Sequence, residues 1–145
     1  MGFDREESAT YLAAQLAKAF TRSLQARAAK LGFSPGQFPI LLALWDEEGL
    51  TQAQLLQRID VEQATMANTL ARMQRDGLIE KRPHPTDKRA QLVYLTETSR
   101  QLREEALSAA EDADNALFAG FRRFEKELML EYIRWAIDNG RKLEI

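Results

Sequence analysis

The chain has 145 residues, 45% of them hydrophobic and 29% charged, with a formal net charge of −2. That length fits one domain, or one domain with an oligomerisation arm, and the apolar content is too high for a disordered chain. The absence of cysteine excludes disulfides, thiolate metal sites and thiol-based oxidation sensing, and the single histidine, His84, cannot build a zinc site by itself, so no metal and no cofactor is expected.

The N-terminal stretch Met1-Gly2-Phe3-Asp4-Arg5-Glu6-Glu7 is charged and lacks the apolar core of a signal peptide. No apolar run approaches the roughly 20 residues a membrane span needs. A cytoplasmic protein with no membrane partner is expected. Leu12, Leu16, Phe20, Leu24, Ala28 and Leu31 recur every three or four residues and predict a long amphipathic helix from Glu6 to Leu31, ended by Gly32. Ser34 as cap, Pro35 at the first helical position and Gln37 completing a capping box predict the next helix start. The apolar positions of that helix, Phe38, Leu41, Leu42, Leu44 and Trp45, nearly encircle it, so it should be central and buried.

Thr51-Gln52-Ala53-Gln54 repeats the capping-box pattern and opens a short helix through Arg58. A turn at Ile59-Asp60-Val61 leads to a helix over 62–76. Its inward stripe is Met66, Thr69 or Leu70, and Met73; Gln63, Ala64, Ala67, Asn68, Ala71, Arg72 and Arg75 face outward. Gly77 stops it. Residues 78–82 and 90–95 read as two short strands joined by Pro83-His84-Pro85-Thr86-Asp87-Lys88-Arg89, a charged loop stiffened by its prolines. Thr96 caps a long helix rich in small residues, among them Ala106, Ala109, Ala110, Ala113 and Ala116. Gly120 allows a break before a last amphipathic helix carrying Phe124, Leu128, Met129, Tyr132, Ile133, Ala136 and Ile137.

A helix pair followed by a charged hairpin is how a winged helix-turn-helix meets DNA. The predicted fold is mainly α with a small β-hairpin wing (α+β): one domain over residues 1–145, with a DNA-binding lobe at 34–96 and dimerisation helices at 4–31 and 97–145. A lobe of that size covers only part of the apolar surface of the terminal helices, and leftover faces of this kind most often meet a second copy. Charge supports the same division. Residues 51–96 hold seven basic and five acidic side chains, a balance of +2, against −1 for residues 1–50 and −3 for residues 97–145. The middle segment is the one suited to phosphate.

On the outward helix face, Gln63 and Asn68 can pair with adenine edges, while Ala64 and Ala67 permit close approach or contact with thymine methyls. Arg72 and Arg75 follow one or two turns later, placed for phosphate or a guanine. A polar solvated helix would look the same taken alone. On the hairpin, Lys88 and Arg89 can reach the backbone or a narrow minor groove, and Asp87 is assigned to orienting Arg89 or a neighbouring cation through a charge-assisted bond. A soluble charged turn is the plain alternative, and His84 reads as a solvated loop residue.

Together these residues resemble a known family. Val61-Glu62-Gln63-Ala64-Thr65-Met66-Ala67-Asn68, leading to Met73-Gln74-Arg75-Asp76-Gly77-Leu78-Ile79, is similar to the recognition helix and following strand of the MarR family of bacterial transcription regulators. Asp87-Lys88-Arg89 through Leu95-Thr96 looks like that family's Asp-x-Arg wing with its Leu-Thr ending. The resemblance implies a two-fold dimer held by helices at both chain ends, a palindromic double-stranded operator, Arg89 in the minor groove with Asp87 helping to hold it, and the start of the 62–76 helix in the major groove. Glu62 departs from the family's usual Ser or Asp cap, leaving Asp60 as an alternative, and Met73 replaces the usual leucine.

The resemblance also implies a ligand-responsive repressor, with a small aromatic or phenolic effector bound between the dimer helices and the lobe. Tyr11, Phe20, Phe38, Leu42 and Trp45 are the candidates there, each also accounted for by ordinary core packing. Thiol-peroxide sensing is excluded without cysteine. Two rivals follow from the residues: a winged-helix protein-interaction module without DNA binding, and an enzyme. The second is not expected, because the one histidine lies in a loop and no convergent set of titratable groups is apparent.

Overall fold

Six α-helices and one antiparallel β-hairpin make up residues 2–143, the part of the chain that the structure, a computed structural model, describes. Met1, Glu144 and Ile145, the outermost residues of the predicted 1–145 domain, lie outside it. In chain order the elements are α1 (Ala9–Ala28), α2 (Phe38–Asp46), α3 (Gln52–Arg58), α4 (Gln63–Arg75), β1 (Ile79–Pro83), β2 (Gln91–Leu95), α5 (Glu97–Leu117) and α6 (Arg123–Leu143).

The predicted unbroken helix from Glu6 to Leu31 is three pieces instead. A 3-10 turn over Arg5–Glu7 precedes α1, and another over Ala29–Leu31 closes on Gly32 at φ 88°. Ser8 makes the first break, because its hydroxyl accepts the Tyr11 amide at 3.3 Å and caps the helix there. The start of α2 also differs. Gln37 does reach back to the Ser34 amide at 3.0 Å, half of a capping box, yet residues 34–37 remain a turn and the helix begins at Phe38. Pro39 has no amide hydrogen to offer the Pro35 carbonyl, so Phe38 bonds that carbonyl and Leu41, bonding Gln37, begins the regular ladder. Leu42, read as part of a buried helix, is 38% exposed.

The full capping box forms at α3: Thr51 Oγ1 accepts the Gln54 amide at 3.1 Å and Gln54 returns the bond to Thr51 at 2.9 Å. Leu41 and Leu44 of α2, Leu55 of α3 and Met66, Leu70 and Met73 of α4 meet Ile79, Val93 and Leu95 of the hairpin in one closed core. Each such side chain contributes about 1.5–3 kcal/mol by leaving water. Leu50 adds a single bridge to β2, in which Gly49 donates to the Val93 carbonyl (2.9 Å) and Val93 donates to that of Leu50 (2.8 Å). Gly49 turns the chain there at φ 75°, where an added Cβ would lie 3.0 Å from the Tyr94 hydroxyl.

Beyond the lobe, α1 lies along α5. Ser23 Oγ donates to the Ala113 carbonyl at 2.8 Å, and Ala28, Ala106 and Ala113 are buried, so the small-residue face of α5 serves close packing within one chain. After Gly120 the chain turns into α6, which buries none of its residues. Phe124, Leu128, Tyr132, Trp135 and Ile137 stand 39–64% exposed along it.

Candidate nucleic-acid interface

Helix α4 presents two unlike faces. Met66, Leu70 and Met73 are fully buried, whereas Gln63, Ala64, Ala67, Asn68, Arg72 and Arg75 are all exposed. At 3.6 residues per turn Ala64, Asn68, Arg72 and Arg75 lie opposite the buried stripe and Ala67 at its flank, whereas Gln63 lies one turn before Met66 on the stripe side and is exposed as the first residue of the helix. The predicted start shifts by one residue: Glu62 is the N-cap by backbone geometry, and among the described residues neither its side chain nor that of Asp60 bonds the helix amides. Thr69, an alternative member of the inward stripe, is half-exposed and donates to the Thr65 carbonyl at 2.7 Å. Gln63 and Asn68 hold no side-chain hydrogen bond among the described residues, so their donors and acceptors are uncommitted. Arg75 lies 3.6 Å from Asp76 with a side chain 73% exposed.

The wing is a five-rung antiparallel pair, from Ile79 opposite Leu95 to Pro83 opposite Gln91. Its tip carries Asp87, Lys88 and Arg89, all exposed. Asp87 holds the backbone of Arg89 and not its guanidinium: its Oδ1 accepts the Arg89 amide at 3.0 Å. Two residues apart in a tight turn, the short carboxylate meets the amide before it can reach the guanidinium. Both Lys88 and Arg89 consequently keep their charges outward. His84, read as a solvated loop residue, is half-buried; its Nδ1 accepts the amides of Thr86 (3.2 Å) and Asp87 (3.0 Å). Arg82 is committed elsewhere, stacked 3.9 Å above the Tyr94 ring and bonded to Glu80.

A second group, unassigned by sequence reasoning, fixes the lobe on the long helix. Glu48 accepts two hydrogen bonds from Arg100, both at 3.0 Å, and a third from the buried Leu95 amide at 2.8 Å. The Arg100 guanidinium holds the Glu48 carboxyl below its ordinary range, with the Leu95 amide adding to the effect and partial burial opposing it. Beside it, Thr96 Oγ1 donates to the Gly77 carbonyl (2.7 Å), Ser99 Oγ to that of Leu78 (2.6 Å), and Trp45 Nε1 to that of Ser99 (3.0 Å). The Glu-Glu-Gly sequence before Leu50 is the only local signal for Glu48; its partners are about fifty residues away.

The effector candidates do not line one cavity within the chain. Phe38 stacks on Phe33 and lies 6.3 Å edge-on from Trp45, both partly buried against the core of the lobe. Phe20 sits 5.8 Å from Phe118, at the far end of the α1–α5 pair. Tyr11 is near the start of α1, accepting a bond from Gln15, and Leu42 lines a separate surface groove with Pro39, Ile59 and Val61. Among the described residues no three His, Asp or Glu side chains gather as metal ligands, and no helix is long and apolar enough to cross a membrane.

HosA, a transcriptional regulator of Escherichia coli O111:H-, is 29% identical over 98 residues, covering 68% of this chain and 73% of HosA. BpsR of Bordetella bronchiseptica, whose structure addresses regulation of DNA binding by 6-hydroxynicotinic acid, superposes with a TM-score of 0.85 at 23% identity, over 95% of this chain and 99% of BpsR. A mutant MarR from E. coli, complexed with operator DNA, gives a TM-score of 0.77 at 24% identity, covering 87% of this chain and 90% of that one. Residues 31–90, which span the lobe from its first turn to the wing tip, match the MarR family profile. That match falls on the exposed helix face and the arginine-tipped hairpin, so residues 31–90 are similar to the MarR family, and the fold of these solved structures is shared over almost the whole chain.

Proposed function

We propose that this protein is a homodimeric, sequence-specific transcription regulator that represses by occupying a palindromic double-stranded operator and is released by a small aromatic or phenolic effector. One observation carries the reading: the uncommitted side chains of α4 and the outward Lys88 and Arg89 of the wing belong to the same lobe. Helix α4 offers Gln63, Ala64, Ala67 and Asn68 to base edges in the major groove, with Arg72 and Arg75 for phosphate or guanine. Arg89 reaches the adjacent minor groove, where a narrow A-tract favours it.

The bare face of α6 supports dimerisation. Exposed Phe124, Leu128, Tyr132 and Trp135 form an apolar surface of the sort that soluble chains cover with a second copy. In a two-fold dimer the two α4 helices must meet successive major grooves about 34–36 Å apart. An effector preferring another separation weakens binding by its differential affinity for the two arrangements. Ligand regulation of a similarly folded protein, BpsR, supports this part of the reading.

Selection of bound fragments from random duplex DNA tests the proposal. An enriched inverted repeat with half-site centres one helical turn apart is the expected result. Failure to enrich any sequence at low salt would refute it.

A further inference from the structure

We propose that His84 is a positioning residue of the wing and makes operator affinity fall when the ring takes up a proton; this rests on the DNA-binding reading above. The wing tip is closed by two backbone bonds, His84 donating to the Ala90 carbonyl at 3.3 Å and Ala90 donating to that of Asp87 at 3.1 Å. Inside that loop the imidazole Nδ1 receives the Thr86 and Asp87 amides at 3.2 and 3.0 Å, with the Thr86 hydroxyl 3.4 Å away. A ring nitrogen that accepts hydrogen bonds carries a lone pair, so the ordered tip requires a neutral ring with its proton on Nε2. Asp87, whose amide the ring holds, itself holds the Arg89 amide. A short relay thus leads from the imidazole to the residue placed for the minor groove.

A proton on Nδ1 replaces an acceptor with a donor facing two other donors. Both bonds are lost together, and the tip that orients Arg89 loosens. The cleft beside the ring receives three charged side chains, Lys81 from β1 and Asp87 and Arg89 from the tip; α3, α4 and β2 contribute only uncharged ones. Histidine is the side chain whose ordinary charge change falls between about pH 5 and 8, and this chain has one. The sign follows from linkage. A proton on Nδ1 removes the acceptor that holds the ordered tip, DNA binding requires that tip, and affinity therefore declines as pH falls. A histidine touching phosphate directly would produce the reverse.

The test measures fluorescence anisotropy of a duplex recovered by selection, with the full chain at constant ionic strength between about pH 5.5 and 8. Wild-type affinity should drop by about threefold to thirtyfold across that range, as expected for losing two hydrogen bonds. His84→Asn, whose Oδ1 can accept the same two amides, should match the wild type at the alkaline end and show little pH dependence. His84→Ala should bind more weakly throughout, also with little pH dependence. In the free protein, ring nitrogen shifts should place the neutral proton on Nε2, and the Thr86 and Asp87 amide resonances should follow the ring's titration. Wild-type binding that is flat or stronger in acid, or a neutral proton found on Nδ1, would overturn the inference while leaving the DNA-binding reading intact. A wild type that binds no duplex at any pH would overturn both.

Discussion

Glu48 allows the cost of detaching the lobe from α5 to be split into its parts. Replacing it with alanine removes the partner of Arg100 and also orphans the amide of Leu95, a residue only 2% exposed. An unsatisfied buried amide costs about 1–3 kcal/mol. The ion pair, with the Arg100 side chain 40% exposed, contributes at most about 1 kcal/mol. Glu48→Gln retains an acceptor for the amide and loses only the charge. Glu48→Ala should therefore be destabilised by about 1–3 kcal/mol more than Glu48→Gln. Urea unfolding at one fixed protein concentration measures the difference, with the slope unchanged if only the folded joint is affected. Acid supplies a second reading. Because Arg100 holds the folded-state carboxyl below its ordinary value of 4.5, the stabilisation is complete above that value and is lost as pH falls through the folded-state pKa. The stability gap between wild type and Glu48→Gln should close over that acid window. Equal stability of the two variants, or a gap indifferent to acid, would refute the assigned roles of the amide and the guanidinium.

Lys88→Ala with Arg89→Ala should weaken operator binding and reduce the slope of log affinity against log salt by about 1 for each phosphate no longer neutralised, as measured by anisotropy at several salt concentrations. Asn68→Ala should leave the salt slope unchanged while relaxing preference at one base pair per half-site by about 1–3 kcal/mol, visible in a repeat selection. Leu128→Asp with Tyr132→Asp should convert the protein to monomers in sedimentation experiments and abolish tight binding to the two-half-site operator. Gly49→Ala places a Cβ at φ 75° and 3.0 Å from the Tyr94 hydroxyl, and should cost about 1–2 kcal/mol or more in denaturant unfolding.

Local chemistry is the part of this fold that the sequence discloses. The Thr51 box, the Thr96 cap, the Gly77 stop and the buried Met66–Leu70–Met73 stripe each depend on residues within one or two turns of each other. Elsewhere a competing local bond or a distant partner decides the outcome. Ser8 interrupts the first helix because a hydroxyl is available to cap there. Pro39 delays α2 because it lacks the amide the ladder needs. The small residues of α5 do permit close approach, yet α1 is the helix that approaches, a fact no spacing contains. Glu48 finds Leu95 and Arg100 across the lobe, so nothing beside it in sequence announces the bond. For the candidate interface, exposure of Ala64, Asn68, Arg72 and Arg75 follows from periodicity, while that of Gln63 follows from its place at the helix start. The internal order of the wing does not, because it depends on which atom of His84 and of Asp87 meets an amide.

The joint at the head of α5 limits how a ligand can act on the proposed dimer. Four side chains, Trp45, Glu48, Thr96 and Ser99, tie α2, the turn after α4 and β2 to the first turn of α5. Bending that joint breaks several part-buried bonds together, each costing about 0.5–1.5 kcal/mol. The lobe and α5 are accordingly expected to turn as one body, carrying α1 with them. Separation of the two α4 helices then changes by movement of one chain's body against the other's. An effector can bias that movement only where it touches both bodies, and a preference of about 1–3 kcal/mol for one arrangement changes operator affinity by roughly 5–150-fold. Phe38 and Trp45 are partly buried against the core of one body, Tyr11 is half-buried on α1, and Leu42 is 38% exposed. An effector of the proposed dimer is accordingly expected where both bodies meet, and Leu42 is the one exposed side chain among the five candidates.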